Sequence, residues 1–535
     1  NEVHKPIVKQ KGYFIKGKFD QFNRNTPLDA FVQAFRDLIG QLFSETDARL
    51  SSWKSNILEV LGDNAGVIVN VIPELEKIIG KQPPVVELSG TAAQNRFNLL
   101  FQKFMQVFTT KEHPLVIFLD DLQWADSASL NLMQLLMSDS ESKYLLLIGA
   151  YRNNEVFPAH PLQLTLSEIT KEEAIINTIL LTPLKEESLN QLISDTLNCL
   201  PLTAQPLTQL VYQKTKGNPF FSTQFLKSLY EDSLIKFNFA EGSWICDIAQ
   251  VKALALTDDV VELMAQQLYK LPTETQNVLK LAACIGNQFD LDTLAIISEK
   301  SKADTVDALW KALLSGLILP TNESYKFYIN EESQNTNSVA NIANNIDNAG
   351  YNFLHDRVQQ AAYLLIADDQ KQITHFKLGQ LLLENFSYQE REERIFDIVN
   401  QLNFGLDLIV TTIQKEELAR LNLIAGKKAK ASTAYAAAFK YFTVGRDLLG
   451  ENGWHFAYEL TLALYEESAE TAYLKTDFDG AEQLSTVVID KAKTLLDKIN
   501  IYVTKIHGNI AQVKLQEAVT IALKVLNKID ENINL

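Results

Sequence analysis

Residues 115–126 read Leu-Val-Ile-Phe-Leu-Asp-Asp-Leu-Gln-Trp-Ala-Asp, an apolar run that ends in two adjacent acids. The run is short enough for a strand and apolar on both faces, which is typical of a parallel sheet covered by helices on each side. Open α/β sheets bind their ligands at the carboxyl ends of such strands. The stretch therefore predicts a buried strand that brings Asp120 and Asp121 to a ligand-binding edge.

The segments around this strand alternate between strand and helix patterns. Strands are predicted at 12–19, 144–150 and 174–181, and helices from Pro27, over 90–110 and over 127–137. Strands that alternate with helices form an open α/β sheet with helices on both faces. We therefore expect a three-layer α/β core with a parallel sheet at the start of the chain.

The middle of the chain is mostly helical in pattern. Helices are predicted over 185–232, with a break at 217–219, and over 257–320, and a hairpin is predicted over 234–247. Two short strand candidates, Tyr325–Ile329 and Tyr351–Leu354, flank an Asn- and Ser-rich segment at 330–350. That segment has little apolar surface to bury, so we expect it to be a mobile loop.

Every pattern after about residue 370 is helical. Three small residues, Ala438, Ala481 and Ala518, each stand early in a helix that follows another helix. They recur at intervals of about 40 residues, which is close to the period of helix-pair repeats. The pattern predicts an array of helical repeats.

Composition and charge exclude several classes of protein. The 535 residues carry 49 Lys and Arg against 66 Asp and Glu, a net charge of −17. This balance argues against nucleic acid and against anionic membrane surfaces as partners, since both require clustered positive charge. No apolar run approaches the roughly 18 residues of a membrane span. Three cysteines without CxxC spacing and seven scattered histidines predict reduced thiols, a cytoplasmic location and no dedicated metal centre.

The two acids and a nearby arginine suggest phosphate chemistry. Asp120 can hold a water of a Mg²⁺ shell, and Asp121 can orient or deprotonate an attacking water. Arg152, at the tip of the next predicted strand, can reach a γ-phosphate or that water. Two plainer interpretations stay open: an aspartate after a strand often caps the next helix, and Arg152 can form a surface ion pair with Glu155.

Residues 120–126, Asp-Asp-Leu-Gln-Trp-Ala-Asp, and 149–152, Gly-Ala-Tyr-Arg, resemble the Walker B and sensor-1 elements of STAND-type ATPases, signalling relatives of the AAA+ family. Residues 216–221, Lys-Gly-Asn-Pro-Phe-Phe, resemble the lid motif of that family, which implies that Pro219 packs on the adenine and that Asn218 belongs to the nucleotide-binding residues. A helix-capping turn would also explain Gly-Asn-Pro. Leu354-His355-Asp356 resembles the end of the winged-helix domain, which implies that His355 contacts the β-phosphate of ADP, although a lone histidine is more often structural.

The likeness is closer to the ATPase segment of large bacterial multi-sensor kinases. Residues 14–21, 149–155 and 353–363 carry it, and it extends over nearly the whole chain; Asn153 stands where that family often has Asp. The resemblance implies four domains: an ATPase core over 1–184, a helical lid with a hairpin over 185–256, a winged helix over 257–370 and TPR-like repeats over 371–535. It also implies Mg²⁺ with ATP or ADP as ligands.

The sequence departs from that family in one respect, because no GxxxxGK[ST] phosphate loop occurs in it. In the family a helix similar to Asn1-Glu-Val-His-Lys-Pro-Ile directly follows that loop. We therefore expect a truncated chain that binds ATP weakly or not at all, since the loop supplies most of the phosphate contacts. We also expect the predicted strand at 174–181 to shift into the gap in the sheet or to be loosely held.

The resemblance and the residue patterns together imply three candidate functions. The first is an ATP/ADP-dependent switch of a signalling kinase that controls exposure of the helical repeats, which would bind other domains of the same polypeptide or partner proteins. The second is a helical scaffold without catalysis, in which the acids at 120–121 are vestigial. The third, a DNA-binding regulator, is disfavoured because the candidate recognition helix from Lys302 carries as many aspartates as lysines. No VAIK, HRD or DFG pattern occurs, so kinase activity would belong to domains outside the chain.

Overall fold

The computed structural model describes residues 12–21, 26–86, 88, 90–138, 143–172, 174–239, 242–253, 259–321 and 349–533. The chain divides into two compact units, Asn1–Ile176 with His375–Leu535, and Asn177–Thr374. Within the described ranges no helix has the length and apolar character that a bilayer span requires.

The first unit is built on a parallel sheet of β1 (Tyr13–Lys18), β2 (Leu115–Asp120) and β3 (Leu145–Gly149), in that order. Lys18 pairs with Asp120, and Leu119 pairs with Gly149, so all three strands end at the same edge. The central strand is buried, since Leu115, Ile117 and Leu119 are inaccessible to solvent. The predicted parallel α/β architecture is confirmed.

Seven helices of the described residues belong to this core: α1 (Asp29–Phe43), α2 (Asp47–Leu61), α3 (Ala65–Val69), α4 (Glu76–Ile79), α5 (Gly90–Phe108), α6 (Ser127–Met137) and α7 (Pro161–Lys171). Phenylalanines on α1 and α5 fill the space between them. Phe35 lies 5.5 Å from both Phe101 and Phe104 between ring centroids, in the tilted and edge-on geometries that aromatic pairs prefer. The apolar faces predicted for these two helices are therefore the faces that pack.

The strand predicted at 174–181 is wrong. These residues form no strand, and Ile175, Ile179 and Leu181 are each more than 80% exposed. An apolar β-branched run becomes a strand only where a ladder partner and a surface to bury against are present. In the described part of the chain, β3 pairs with β2 alone and the segment does not move into the sheet.

The second unit begins with α8 (Glu186–Leu197), α9 (Pro201–Thr215), α10 (Pro219–Glu231), the antiparallel hairpin of β4 (Ile235–Asn238) and β5 (Ser243–Cys246), and α11 (Ile248–Ala253). It continues with α12 (Val260–Tyr269), α13 (Thr273–Ile285), β6 (Gln288–Asp290), α14 (Leu291–Ser298), α15 (Lys302–Leu314), β7 (Ile318–Pro320), β8 (Gly350–Phe353) and α16 (Asp356–Leu364). Both the predicted hairpin and the predicted helix break at 217–219 are confirmed.

A small antiparallel sheet of order β6-β8-β7 corrects the all-helical prediction for 257–320. Its two outer strands have three residues each, too few to produce an alternating pattern. The strand predicted at Tyr351–Leu354 is confirmed as the central strand β8. The candidate Tyr325–Ile329 and most of the Asn-rich segment lie outside the described residues.

The described chain is helical from α17 (Asp368–Asn385) onward, through α18 (Tyr388–Glu393), α19 (Ile395–Phe404), α20 (Thr412–Ala431), α21 (Tyr435–Leu449), α22 (Gly453–Phe456), α23 (Tyr458–Leu474), α24 (Phe478–Lys491), α25 (Ile499–Ala511) and α26 (Leu515–Ile533). The predicted repeat is visible in three helix pairs, α20–α21, α23–α24 and α25–α26. In each pair, the second helix has its buried alanine (Ala438, Ala481 or Ala518) at its fourth position. A residue in the left-handed conformation (Thr433, Thr476 or Val513) lies two positions before the first residue of that helix.

One helix pair depends on a glycine at its contact. A β-carbon on Gly426 of α20 would lie 2.2 Å from the ring of Phe442, which is fully buried in α21. We predict that Gly426→Ala destabilises the chain by about 1–3 kcal/mol, because the closely packed helices have to separate. Gly40→Ala on α1 is the matched control, since a β-carbon there meets nothing within 4 Å. Urea unfolding followed by circular dichroism should show a lower midpoint for the first variant and an equal or higher midpoint for the second.

A second prediction concerns Asp29, the first residue of α1. Its carboxylate accepts a hydrogen bond from Gln33 (2.9 Å), whose amide in turn bonds both main-chain groups of Lys18. Burial raises the pKa of Asp29 to about 7, and the negative charge of Asp397 adds to that effect. The folded state therefore holds a proton that the unfolded state has lost above about pH 4, so the stability from this carboxyl group is complete below pH 4 and is lost as the pH rises through 7.

We expect the unfolding free energy of the unaltered chain to fall between pH 5 and 8 by at least ~1.4 kcal/mol more than that of Asp29→Asn, the equivalent of one pKa unit. Asp47→Asn, which alters the exposed first-turn acid of α2, should keep the dependence of the unaltered chain. Equal pH profiles for the unaltered chain and Asp29→Asn would contradict the raised pKa.

Candidate functional site

The site in the first unit begins with Asp120, which ends β2 beside the last residue of β1. Its carbonyl accepts a hydrogen bond from the Phe19 amide (3.1 Å), and one carboxylate oxygen accepts the amide of Asp121 (3.0 Å). The parallel ladder thus continues to the end of the strand and places the Asp120 side chain, which is half-buried, at the carboxyl edge of the sheet. This is the position that the sequence predicted.

Asp121 is the centre of a polar network at this edge. Its main chain leaves the sheet in a left-handed conformation (φ 55°), and the residue is only 6% exposed. Its carboxylate accepts a hydrogen bond from Gln123 (2.7 Å) and lies 3.3 Å from the Lys18 ammonium and 3.4 Å from the Arg152 guanidinium. A buried carboxylate needs such partners, since the desolvation of an unpaired charge is costly.

Hydrogen bonds and a contact with an aromatic ring position Arg152, in addition to its ion pair with Asp121. Its amide donates to the side-chain oxygen of Gln123 (3.2 Å), and its guanidinium lies 4.9 Å from the centre of the Trp124 ring. A second guanidinium nitrogen bonds Glu155 (3.2 Å), and Glu155 also accepts the indole N–H of Trp124 (3.0 Å). The predicted ion pair with Glu155 therefore exists together with the contact to Asp121.

A third acid of this segment, Asp126, caps the next helix; it is not one of the adjacent pair Asp120 and Asp121. Asp126 caps α6, since its carboxylate accepts the amides of Ser129 (3.1 Å) and Leu28 (3.3 Å), and burial raises its pKa. Asp121 makes no such cap bond to the short helical turn that it precedes. Sequence reasoning missed Lys18 and Gln123. Lys18 lies within the predicted strand 12–19, but only the pairing of that strand with the strand of Asp120 places its side chain at the site.

The chemistry of the edge suits a magnesium–phosphate ligand. Asp120 offers carboxylate oxygens at the surface of the sheet, while Lys18 and Arg152 supply positive charge beside them. Across the described residues no group of three or more acids, histidines and cysteines could enclose a metal ion. Mg²⁺ does not require such a cage, since it is commonly held by one or two carboxylates with waters and substrate phosphates.

In the second unit, the Lys-Gly-Asn-Pro turn has a clear structural role. Asn218 caps α10 by accepting the amide of Phe221 (2.9 Å), and Pro219 occupies the first helical position. Gly217 has φ 75°, and a β-carbon there would lie 2.1 Å from the carbonyl oxygen of Leu184. The helix-capping interpretation is thus realised, and both Asn218 and Pro219 remain exposed.

His355 lies against the same turn. Its ring stacks on Phe220, with centroids 4.1 Å apart and planes 18° from parallel, and the residue caps α16. The ring nitrogen Nδ1 accepts the amide of Arg357 (3.1 Å). A neutral imidazole that accepts at Nδ1 carries its proton at Nε2, so the cap sets the tautomer. The structure therefore brings His355 and the lid motif together within the second unit, as it brings Asp120, Asp121 and Arg152 together within the first.

Residues 1–148 match the family model of an AAA ATPase domain. The hybrid signal transduction histidine kinase G of Dictyostelium discoideum is 29% identical over 580 residues, which cover 90% of this chain and 17% of the kinase. The peroxide stress-activated histidine kinases mak3 and mak2 of Schizosaccharomyces pombe are each 22% identical, over 59% and 54% of this chain and 13% of each kinase.

Among solved structures, a STAND protein with a tetratricopeptide repeat sensor from Pyrococcus horikoshii aligns with 99% of this chain and 70% of its own, at 12% identity and a TM-score of 0.38. The chain spans less than a fifth of the length of the curated relatives that it matches. The predicted resemblance is confirmed by the family model and the kinases: residues 1–148 match an AAA ATPase domain, and the chain is similar over most of its length to one region of a signalling histidine kinase.

Proposed function

We propose that this chain is part of a nucleotide-dependent regulatory module of a signalling kinase, and that the module, when it includes a phosphate loop, binds ATP or ADP with Mg²⁺ and passes the nucleotide state to the helical repeats. The observation that carries the proposal is the Asp121 carboxylate, buried between Lys18 and Arg152 beside Asp120 at the carboxyl edge of a parallel sheet. The similarity to histidine kinases supports the signalling context.

The residues of the first unit have separate roles in this proposal. Asp120 would hold the hydrated Mg²⁺, which supplies charge neutralisation when bound. Arg152 would interact with the γ-phosphate, because its guanidinium is fixed by Trp124 and Glu155. Asp121 is already paired with two cations. We therefore assign it to orienting the attacking water and to holding Lys18 and Arg152 in place.

The residues of the second unit would contact the nucleotide and distinguish ADP from ATP. The Nε2 proton of His355 is a donor suited to a phosphate oxygen, since the cap bond at Nδ1 fixes the tautomer. Pro219 is exposed and would lie against the adenine base. Asn218 would act indirectly, because its side chain sets the start of α10. A nucleotide shifts such a switch only by its different affinity for the two states.

The first test measures ATP hydrolysis. Because the 535 residues contain no GxxxxGK[ST], the chain is compared with the same chain preceded by such a loop and its strand. We expect turnover in the extended chain only, and a loss on the order of 10²-fold for Asp120→Asn, Asp121→Asn or Arg152→Ala. Asp290→Asn is the matched control, since Asp290 also ends a strand. Unchanged turnover in Asp121→Asn would support the scaffold interpretation instead.

The second test addresses the histidine. We expect His355→Asn to lower ADP affinity about tenfold and to leave ATP affinity within about twofold, because asparagine keeps the helix cap but lacks Nε2. His160→Asn is the matched control, since Nδ1 of His160 caps α7 in the same way. Calorimetric titration of the extended chain measures both affinities. Equal losses for ADP and ATP would contradict a role in distinguishing them.

One observation favours protein binding by the repeats. Four apolar residues recur along α26 at helical spacing, and each is 55–58% exposed: Leu515, Val519, Leu523 and Leu526. An exposed apolar stripe of this kind is typical of a protein interaction surface. We propose that another domain of the same polypeptide or a partner protein binds there, which is compatible with either the switch or the scaffold.

A further inference from the structure

The helix pairs of the repeats are joined through the second helix of each pair. α21 packs against α23, the first helix of the next pair, and α24 packs against α25 in the same way. The second helices α21, α24 and α26 all have a buried alanine at position 4, counted from the first residue of the helix. Their positions can therefore be compared one by one, and the face that α21 and α24 turn to the next pair can be located on α26.

On α21, positions 5 and 12 contact the next pair. The ring centre of Phe439, at position 5, lies 3.9 Å from the ammonium nitrogen of Lys475, which directly follows α23. The guanidinium carbon of Arg446, at position 12, lies 5.2 Å from the ring centre of Tyr465 in α23. Positions 1, 5, 9 and 12 of a helix lie on one face, because they are three or four residues apart.

The same face of α24 contacts α25. Glu482, at position 5, forms an ion pair with Lys505 of α25 at 2.5 Å. Phe478, at position 1, lines a small cavity together with Glu482 and with Thr504 and Gly508 of α25. Position 5 therefore faces the next pair in both cases.

On α26 this face carries only apolar side chains. The exposed stripe described above occupies positions 1, 5, 9 and 12, with Leu515, Val519, Leu523 and Leu526. All four are 55–58% exposed, whereas Ala518 and Val525 of the same helix are buried. The stripe thus has the positions that α21 and α24 use to contact the next pair, and here it is open to solvent.

The size and the polarity of the stripe indicate the kind of partner. Four side chains on one helix are a small part of the roughly 20–30 residues that each partner contributes to a stable interface between separate chains. A helix of the same polypeptide needs a smaller contact, because the linkage gives it a high effective concentration. Since the stripe has no charge to match the Glu482 of α24, the helix that covers it must be apolar at the contact.

We propose that the stripe on α26 binds the first helix of a further helix pair, formed by the segment that follows residue 535 in the same polypeptide, and that this helix presents an apolar face to the stripe. The array would then continue with the packing that joins α21 to α23 and α24 to α25. This inference names the partner for the protein-binding surface proposed above and rests on that proposal.

The test compares the 535-residue chain with a chain lengthened at its carboxyl end by the next residues of its polypeptide, about 40 of them, which is one repeat period. Val519→Cys is introduced into both chains, and mass spectrometry follows the alkylation of that cysteine by N-ethylmaleimide. We expect alkylation about tenfold slower, or more, in the lengthened chain, because the added helix has to open before position 5 can react. Thr520→Cys is the matched control, since Thr520 is exposed but outside the stripe, and its alkylation rate should be the same in both chains.

A lysine at the same position tests the contact through stability. Val519→Lys should lower the melting temperature of the lengthened chain by about 2 °C or more, because the charge would be buried against an apolar helix. It should leave the melting temperature of the 535-residue chain unchanged, since Val519 is 58% exposed there. Thr520→Lys should change neither chain.

Equal alkylation of Val519→Cys in the two chains would overturn the proposal. Protection that grows with the concentration of the 535-residue chain would also overturn it, because the occupant would then be a second copy; the stripe would still be a protein-binding surface. Neither measurement involves nucleotide, so failure of this proposal is distinguishable from failure of the nucleotide-dependent switch.

Discussion

The carboxylate of Asp121 connects the ends of three parallel strands, since its partners Lys18 and Arg152 belong to or follow the neighbouring strands on either side. The buried Asp121 carboxylate requires these two cations, because an unpaired charge at this position would be strongly destabilising. Removal of one partner from a buried ion pair commonly costs about 3–5 kcal/mol, because the other charge remains buried. Gln123 donates a hydrogen bond to the same carboxylate and accepts one from the Arg152 amide. Its side chain therefore links the loop after β2 to the loop after β3 and fixes their relative positions.

This arrangement divides the tasks at the edge of the sheet. Asp120 remains accessible at the strand end, where a cation and its water shell would fit, while the buried Asp121 forms its ion pairs within the protein. A sequence with two adjacent acids does not reveal which of them is buried and ion-paired. The left-handed main chain at Asp121 is the feature that separates their environments.

The sequence predicted the parts of the fold that have long or strongly patterned signals. The apolar strand before Asp120, the long helices of the core and the repeat alanines are of this kind. Three-residue strands such as β6 and β7 have no periodicity of their own and exist because β8 pairs with both. The segment 174–181 has the composition of a strand, but a strand also needs a neighbour. Lys18 was missed because a lone lysine at the end of a strand acquires meaning only through the register.

In the second unit, the structural roles of two residues do not exclude the functional roles that we propose for them. His355 caps a helix through one ring nitrogen, and that bond determines what the other nitrogen can donate. In the same way, Asn218 caps the helix that carries Phe220, the ring on which the histidine stacks. The plainer interpretations of these motifs are therefore correct descriptions of their geometry, and they are compatible with ligand recognition.

The exposed run at 174–181 has a practical consequence. It contains neither a charge nor a proline, and five of its eight residues are Ile or Leu. Short segments of this composition are prone to pair with copies of themselves when they are accessible. Preparations of this polypeptide at high concentration should therefore tend toward ordered self-association through this run, and a single lysine placed within it would act as a gatekeeper against aggregation.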